Sequence, residues 1–118
     1  MPTLDLFRNE SETKSVKAGE TIFHEDEEGR VMYVVLEGQV KLSVTGRTLE
    51  KVVKGGVFGE MALIDAAPRS ATATALTACV LVPVTAARFK ALVQEKPEFA
   101  IEIMAVMAAR LRSMDRRL

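Results

Sequence analysis

The residues most able to do chemistry lie in one short stretch, Gly55-Gly56-Val57-Phe58-Gly59-Glu60-Met61-Ala62-Leu63-Ile64-Asp65-Ala66-Ala67-Pro68-Arg69-Ser70-Ala71-Thr72-Ala73. The glycines let the backbone take positive φ and approach a ligand closely. A helix starting near Gly59 would aim the free N–H groups of Glu60, Met61 and Ala62 at an anion, with the positive end of its dipole behind them. Arg69 can close on a phosphate with its planar fork of donors. Glu60 is the odd residue at such a site, because a carboxylate beside a phosphate repels it. It is better suited to accept hydrogen bonds from ligand hydroxyls. A sugar phosphate meets both demands.

The rest of the chain must hold that stretch in place, and it reads as strands first and helices last. Short β-type runs at Ser15-Val16, Thr21–Phe23, Val31–Glu37, Gln39–Val44 and Leu49–Val53 are separated by turn signals at Gly19, Gly29, Gly38, Gly46 and Gly55-Gly56. Ser70–Ala75 and Cys79–Val84 add two more. Many short, evenly spaced strands predict a sandwich or a barrel closed as a jelly roll. After Thr85 the period changes. Ala86–Glu95 predicts a helix with Phe89, Leu92 and Val93 on one face, and Pro97 opens a second helix running from Glu98 to about Arg117.

That final helix carries two apolar faces. Met104, Met107, Leu111, Met114 and Leu118 recur at steps of three and four, the spacing of a coiled-coil seam. Ile101, Ala105 and Ala108 form a second stripe able to lie on the barrel. Arg110, Arg112, Arg116 and Arg117 crowd the last turns, where cations complement the helix dipole. The helix serves either as a cap on a monomer or as a homodimer seam.

Composition narrows the class. A chain of 118 residues with 48% apolar content supports one packed domain. No apolar run reaches the length of a membrane span, and the opening MPTLDLFRNE has no signal-peptide apolar region. A single cysteine cannot form an internal disulfide, which fits a reducing cytoplasm. The formal net charge of zero gives no global attraction to nucleic acid or to an anionic membrane.

Other constellations do not rise to a site. Gly55, Gly56 and Gly59 have the wrong spacing for a dinucleotide fingerprint, and no Gly-Lys-Ser/Thr marks a P-loop. His24 is the only histidine, so a cupin-type metal cluster cannot be assembled. Cys79 reads as a small buried hydrophobe, and Glu25-Asp26-Glu27-Glu28 as a solvated loop without the alternation of a calcium loop. No nucleophile–base pair stands out, so no catalytic residue, metal or enzyme activity is assigned.

Phe58-Gly59-Glu60-Met61-Ala62-Leu63 followed by Pro68-Arg69-Ser70-Ala71-Thr72 resembles the phosphate-binding cassette of the cyclic nucleotide-binding domain family. Upstream, Ala18-Gly19-Glu20-Thr21-Ile22-Phe23 and Met32-Tyr33-Val34-Val35-Leu36-Glu37-Gly38-Gln39-Val40 resemble the family's early strands in order and spacing. The family includes the catabolite activator protein, the protein kinase A regulatory subunit and cyclic nucleotide-gated channels. The resemblance implies a mainly β fold with C-terminal helices. Its elements would be an eight-stranded antiparallel jelly-roll β-barrel, an internal cassette helix and two terminal helices. Residues 1–118 would form a single domain, with the barrel at about 14–85 and the helices at about 86–117.

The resemblance also implies roles. Phe58, Gly59, Glu60, Met61, Ala62, Leu63, Arg69, Ser70 and Ala71 would form the ligand-binding set. Gly59 and the adjacent amides would meet the cyclic phosphate, and Glu60 would accept from the ribose 2′-hydroxyl. Arg69 would pair with the phosphate charge, Ser70 would donate to a phosphate oxygen, and Leu63 and Ala71 would line the wall near the sugar and base. Ser70 resembles the bacterial cAMP activator and leaves cGMP open, since a hydroxyl can reach the guanine amino group of a syn base. No cofactor is implied beyond the ligand cAMP or cGMP.

Two functions follow as expectations. The chain is either a cytoplasmic binding module signalling through its C-terminal helices to a downstream protein, or the ligand-binding part of a DNA-binding regulator or larger effector. The sequence stops about where the transcription-factor members begin their helix-turn-helix. Direct contact with nucleic acid or membrane is therefore not expected.

Overall fold

The computed structural model describes the backbone of residues 2–65 and 67–117, with side chains from 5 to 65 and from 67 to 113. It contains α1 (Pro2–Phe7), β1 (Lys14–Val16), β2 (Thr21–Phe23), β3 (Val31–Glu37), β4 (Val40–Val44), β5 (Arg47–Val52) and β6 (Val57–Phe58). A 3-10 turn (Glu60–Leu63) is followed by β7 (Thr72–Ala75), β8 (Cys79–Thr85), α2 (Ala86–Glu95) and α3 (Glu98–Arg117). The strands form two four-stranded sheets in the orders β1-β8-β3-β6 and β2-β7-β4-β5, with every pairing antiparallel. This is the jelly roll that the strand spacing predicts.

The run Val31–Leu36 is apolar almost throughout because β3 is covered on both sides. Tyr33 and Val35 point into the core between the sheets, beside Phe23, Leu42, Phe58 and Leu81. Met32 and Val34 point the other way, into a second core with Phe7, Val82, Val84, Leu92, Phe99 and Ile103. Alternating side chains of one strand thus feed two cores. The first core builds the barrel and the second fastens the helices to its outer face. Ring contacts reinforce both: Tyr33 and Phe58 stack with centroids 5.3 Å apart, and Phe99 meets Phe7 at 6.1 Å and Phe89 at 5.4 Å.

The helix boundaries follow local chemistry. Thr85 caps α2 by accepting a hydrogen bond from the Arg88 N–H at 3.2 Å. Pro97 separates α2 from α3, since it has no N–H to carry a helical ladder onward. The two-residue strand β6 is too short to show a period in the sequence. Among the described residues no helix is long and apolar enough to cross a membrane.

The two faces of α3 differ from the expectation. The side toward the barrel is formed by Phe99, Ile103, Val106 and Met107. Ile101, expected against the barrel, is 64% exposed, and Met104 and Leu111 join it outside. Met107, assigned to the seam, faces inward. The seam positions Met114 and Leu118 lie outside the described side chains.

Candidate cyclic nucleotide site

The cassette joins β6 to β7 around a left-handed glycine. Gly59 has φ +78°, a conformation that side chains resist, and it turns the chain from β6 into the 3-10 turn. The expected helix is shortened to this single turn. The Ala62 N–H, expected to face an anion, instead donates to the Gly59 carbonyl at 3.3 Å. A cavity of about 440 Å³ opens beside the turn, large enough for a nucleotide-sized ligand. The cassette up to Ala71, just before β7, forms its walls with Phe23, Leu42, Leu49 and Glu50, and α3 covers it through Met107, Arg110, Leu111 and Ser113.

Of the nine residues expected at the site, Gly59, Glu60, Met61, Ala62, Arg69, Ser70 and Ala71 line this cavity. Phe58 and Leu63 do not. Phe58 is fully buried between Phe23 and Tyr33 in the barrel core, because β6 directs it between the sheets. Leu63 packs against the second core, the one that also receives Leu92, Phe99 and Ile103 of the helices, and does not line the cavity.

Arg69 is 7% exposed, and no carboxylate pairs with it among the described residues. Its Nη1 donates to the Gly59 carbonyl at 3.2 Å and its Nη2 to the Val31 carbonyl at 2.8 Å. The guanidinium stacks over the Phe23 ring, 4.0 Å from its centroid. Its Nε is buried without an acceptor. Burial pulls the Arg69 pKa below the ordinary guanidinium value, opposed by the charges of Tyr33, Glu27 and Glu60. A buried donor without a partner costs about 1–3 kcal/mol. An incoming anion would compensate that charge.

Glu60, 4% exposed, is held by Arg110 of α3, a residue expected from its position only to complement the helix dipole. Arg110 also takes Glu50 of β5 side-on, Nε to Oε1 at 2.8 Å and Nη2 to Oε2 at 3.2 Å, and donates to the Val57 carbonyl at 2.6 Å. Burial pulls the Arg110 pKa down, but the Glu50 hydrogen bonds and the Glu60 charge outweigh it and hold it above the ordinary value. One guanidinium therefore ties the terminal helix to both the barrel and the cassette.

Both missed residues left a sequence signal. Arg110 lies three residues after Met107 and seven after Ile103, on the stripe of α3 that faces the barrel. Glu50 shares a strand face with buried Val52. A charge on an inward stripe marks a paired group.

Residues 13–96 match the family described as cyclic nucleotide-binding domain, and the chain belongs to that family. It is 32% identical over 117 residues to the cyclic AMP receptor protein of Thermus thermophilus, covering 95% of this chain and 54% of that protein. It is 38% identical over 78 residues to a cGMP-dependent protein kinase of Toxoplasma gondii, covering 64% of this chain and 8% of the kinase. The crystal structure of the Thermus thermophilus catabolite activator protein superposes with a TM-score of 0.82 at 31% identity, covering 98% of this chain and 57% of that one. The chain thus spans about half the length of the bacterial relative and a small part of the kinase.

Proposed function

We propose that this chain is a regulatory module that binds cAMP, admits cGMP, and signals by ligand-induced movement of α2 and α3. One observation carries the reading: the carboxylate-free guanidinium of Arg69 and the arginine-clasped carboxylate of Glu60 face one cavity. The first suits a cyclic phosphate and the second a ribose hydroxyl. Both are properties of a cyclic nucleotide and not of phosphate alone. Ser70, exposed at the cavity wall, adds a hydroxyl near the phosphate or near a syn guanine. The family supports cyclic nucleotide binding as such, and the relatives' names divide between cAMP and cGMP.

The signal follows from Arg110. A ribose hydroxyl that donates to Glu60 competes with Arg110 for that carboxylate, while Glu50 keeps its side-on grip on the same arginine. Ligand therefore changes the tie between cassette and helix without detaching α3 from β5. Lys96-Pro97 supplies the place to bend. Leu63, packed against the core that also holds Leu92, Phe99 and Ile103, carries any inward shift of the cassette to that core. A ligand moves this equilibrium only by its differential affinity for the two arrangements.

The module acts in the cytoplasm by binding, without catalysis, on a downstream protein. The exposed Ile101, Met104 and Leu111 offer α3 a surface for a second copy. A second reading is a ligand-binding part of a DNA-binding regulator, favoured by the 54% share of the Thermus receptor that the chain covers. Calorimetric titration with cAMP and cGMP side by side tests the first claim. Saturable one-to-one binding of cAMP is expected, and heats no larger than those of 5′-AMP would reject it.

A further inference from the structure

The guanidinium of Arg69 occupies a slot that only a glycine can leave open. A Cβ placed on Gly29 would stand 2.0 Å from Arg69 Nε, 2.3 Å from Cζ and 2.7 Å from Nη2. Gly59 closes the other side, where an added Cβ would stand 2.8 Å from Nη1. The two glycines serve different ends. Gly59 needs its residue type for its left-handed backbone, whereas Gly29 has no positive φ, so its backbone is open to other residues. Space alone explains the glycine at position 29.

The loop that carries Gly29 is fastened to Arg69 from both sides. The Asp26 N–H donates to the Arg69 carbonyl at 2.8 Å, and the Arg69 N–H donates to the Glu27 carbonyl at 2.8 Å. Loop and arginine backbone therefore cannot separate to admit a side chain. The guanidinium is the far end of a flexible chain and is the part able to yield. It would leave the Val31 and Gly59 carbonyls and the Phe23 ring.

We propose that Gly29 is a positioning residue for Arg69: its missing side chain is the space in which the anion-binding guanidinium sits. The inference rests on the proposed function for what Arg69 binds, but not for the crowding itself. A side chain at position 29 moves the cation and leaves the barrel standing.

A four-protein cycle of the parent, Gly29→Ala, Arg69→Ala and the double variant tests this, by cAMP titration and by melting without ligand. Gly29→Ala is expected to weaken cAMP binding by about tenfold or more, approaching the loss of a truncated buried charge partner. The double variant should bind no more weakly than Arg69→Ala. In the ligand-free melts, Gly29→Ala should lower the melting temperature of the parent but not that of Arg69→Ala, where the slot is vacated. Binding by Gly29→Ala within about twofold of the parent would overturn the proposal, as would losses that multiply in the double variant. Equal destabilisation in both backgrounds would do the same, since it would mean the glycine serves the loop. If the parent binds no cyclic nucleotide, the proposed function falls, and the ligand-free melts still decide the role of Gly29.

Discussion

Replacing Arg110 with methionine should loosen the terminal helix and destabilise the whole domain. Methionine keeps much of the apolar stem that packs over the cavity but removes four hydrogen bonds, two to Glu50 and one each to Glu60 and Val57. The losses are unequal. The Glu50 side chain is 38% exposed, so its part of the cluster contributes under about 1 kcal/mol. The Glu60 side chain is 5% exposed, and stripping its cation leaves a buried carboxylate uncompensated. Breaking such a pair costs about 3–5 kcal/mol when fully buried; with Arg110 itself 20% exposed, about 2–4 kcal/mol is the expected loss. For a domain of this size that lowers the melting temperature by roughly 6–20 °C. Differential scanning calorimetry of Arg110→Met measures it. Adding Glu60→Gln, which removes the stranded charge, should return part of the loss. A change under about 2 °C, or no recovery in the double variant, would refute the clasp.

Three further outcomes are expected. Glu60→Ala should bind cAMP and its 2′-deoxy analogue with nearly equal affinity, because the carboxylate that reads the ribose hydroxyl is gone; titrations in which parent and variant discriminate equally would show Glu60 misassigned. The Arg88 hydrogen bond and charge hold the Glu10 carboxyl below its ordinary value of 4.5, so the pair stabilises the fold above about pH 4.5 and the contribution disappears as pH falls through the depressed pKa. Melting curves of parent and Glu10→Gln should differ by up to about 1 kcal/mol at pH 7 and converge as the pH falls below about 4.5; a constant difference would contradict this. Hydrogen exchange across residues 101–113 should change on adding cAMP, and identical protection in the two states would make α3 a static cap.

Much of the fold is readable from residue pattern because its signals are local. The strands ending at Phe23, Glu37 and Val44 are bounded by glycine or acidic turns, and Thr85 and Pro97 punctuate the two long helices. The cassette was legible for the same reason, since Gly59, Glu60 and Arg69 differ in chemistry from the apolar run around them. What escaped was long-range. Phe58 and Leu63 sit beside cavity-lining residues in sequence, yet strand alternation and a tight turn send them into two different cores. The Glu50–Arg110–Glu60 cluster joins residues fifty and sixty positions apart, which no local period reports. Gly29 reads as an ordinary turn glycine until Arg69, distant in sequence, is found in the space beside it. The inward stripe of α3 is not legible in the pattern because Ile101 and Met107 are both apolar. Only packing decides which of them meets the barrel.

The central claim is that cAMP binds this cavity through Arg69, and the ligand-induced rise in melting temperature of the parent and of Arg69→Ala tests it most directly. At about a hundredfold excess over Kd, binding should stabilise the parent by about 2.7 kcal/mol. That corresponds to a rise of roughly 5–15 °C. Arg69→Ala should show little or no rise at the same cAMP concentration, because truncating a desolvated charge partner weakens binding by roughly thirtyfold to several thousandfold. No rise in the parent at millimolar cAMP, or the same rise in both proteins, would contradict the account.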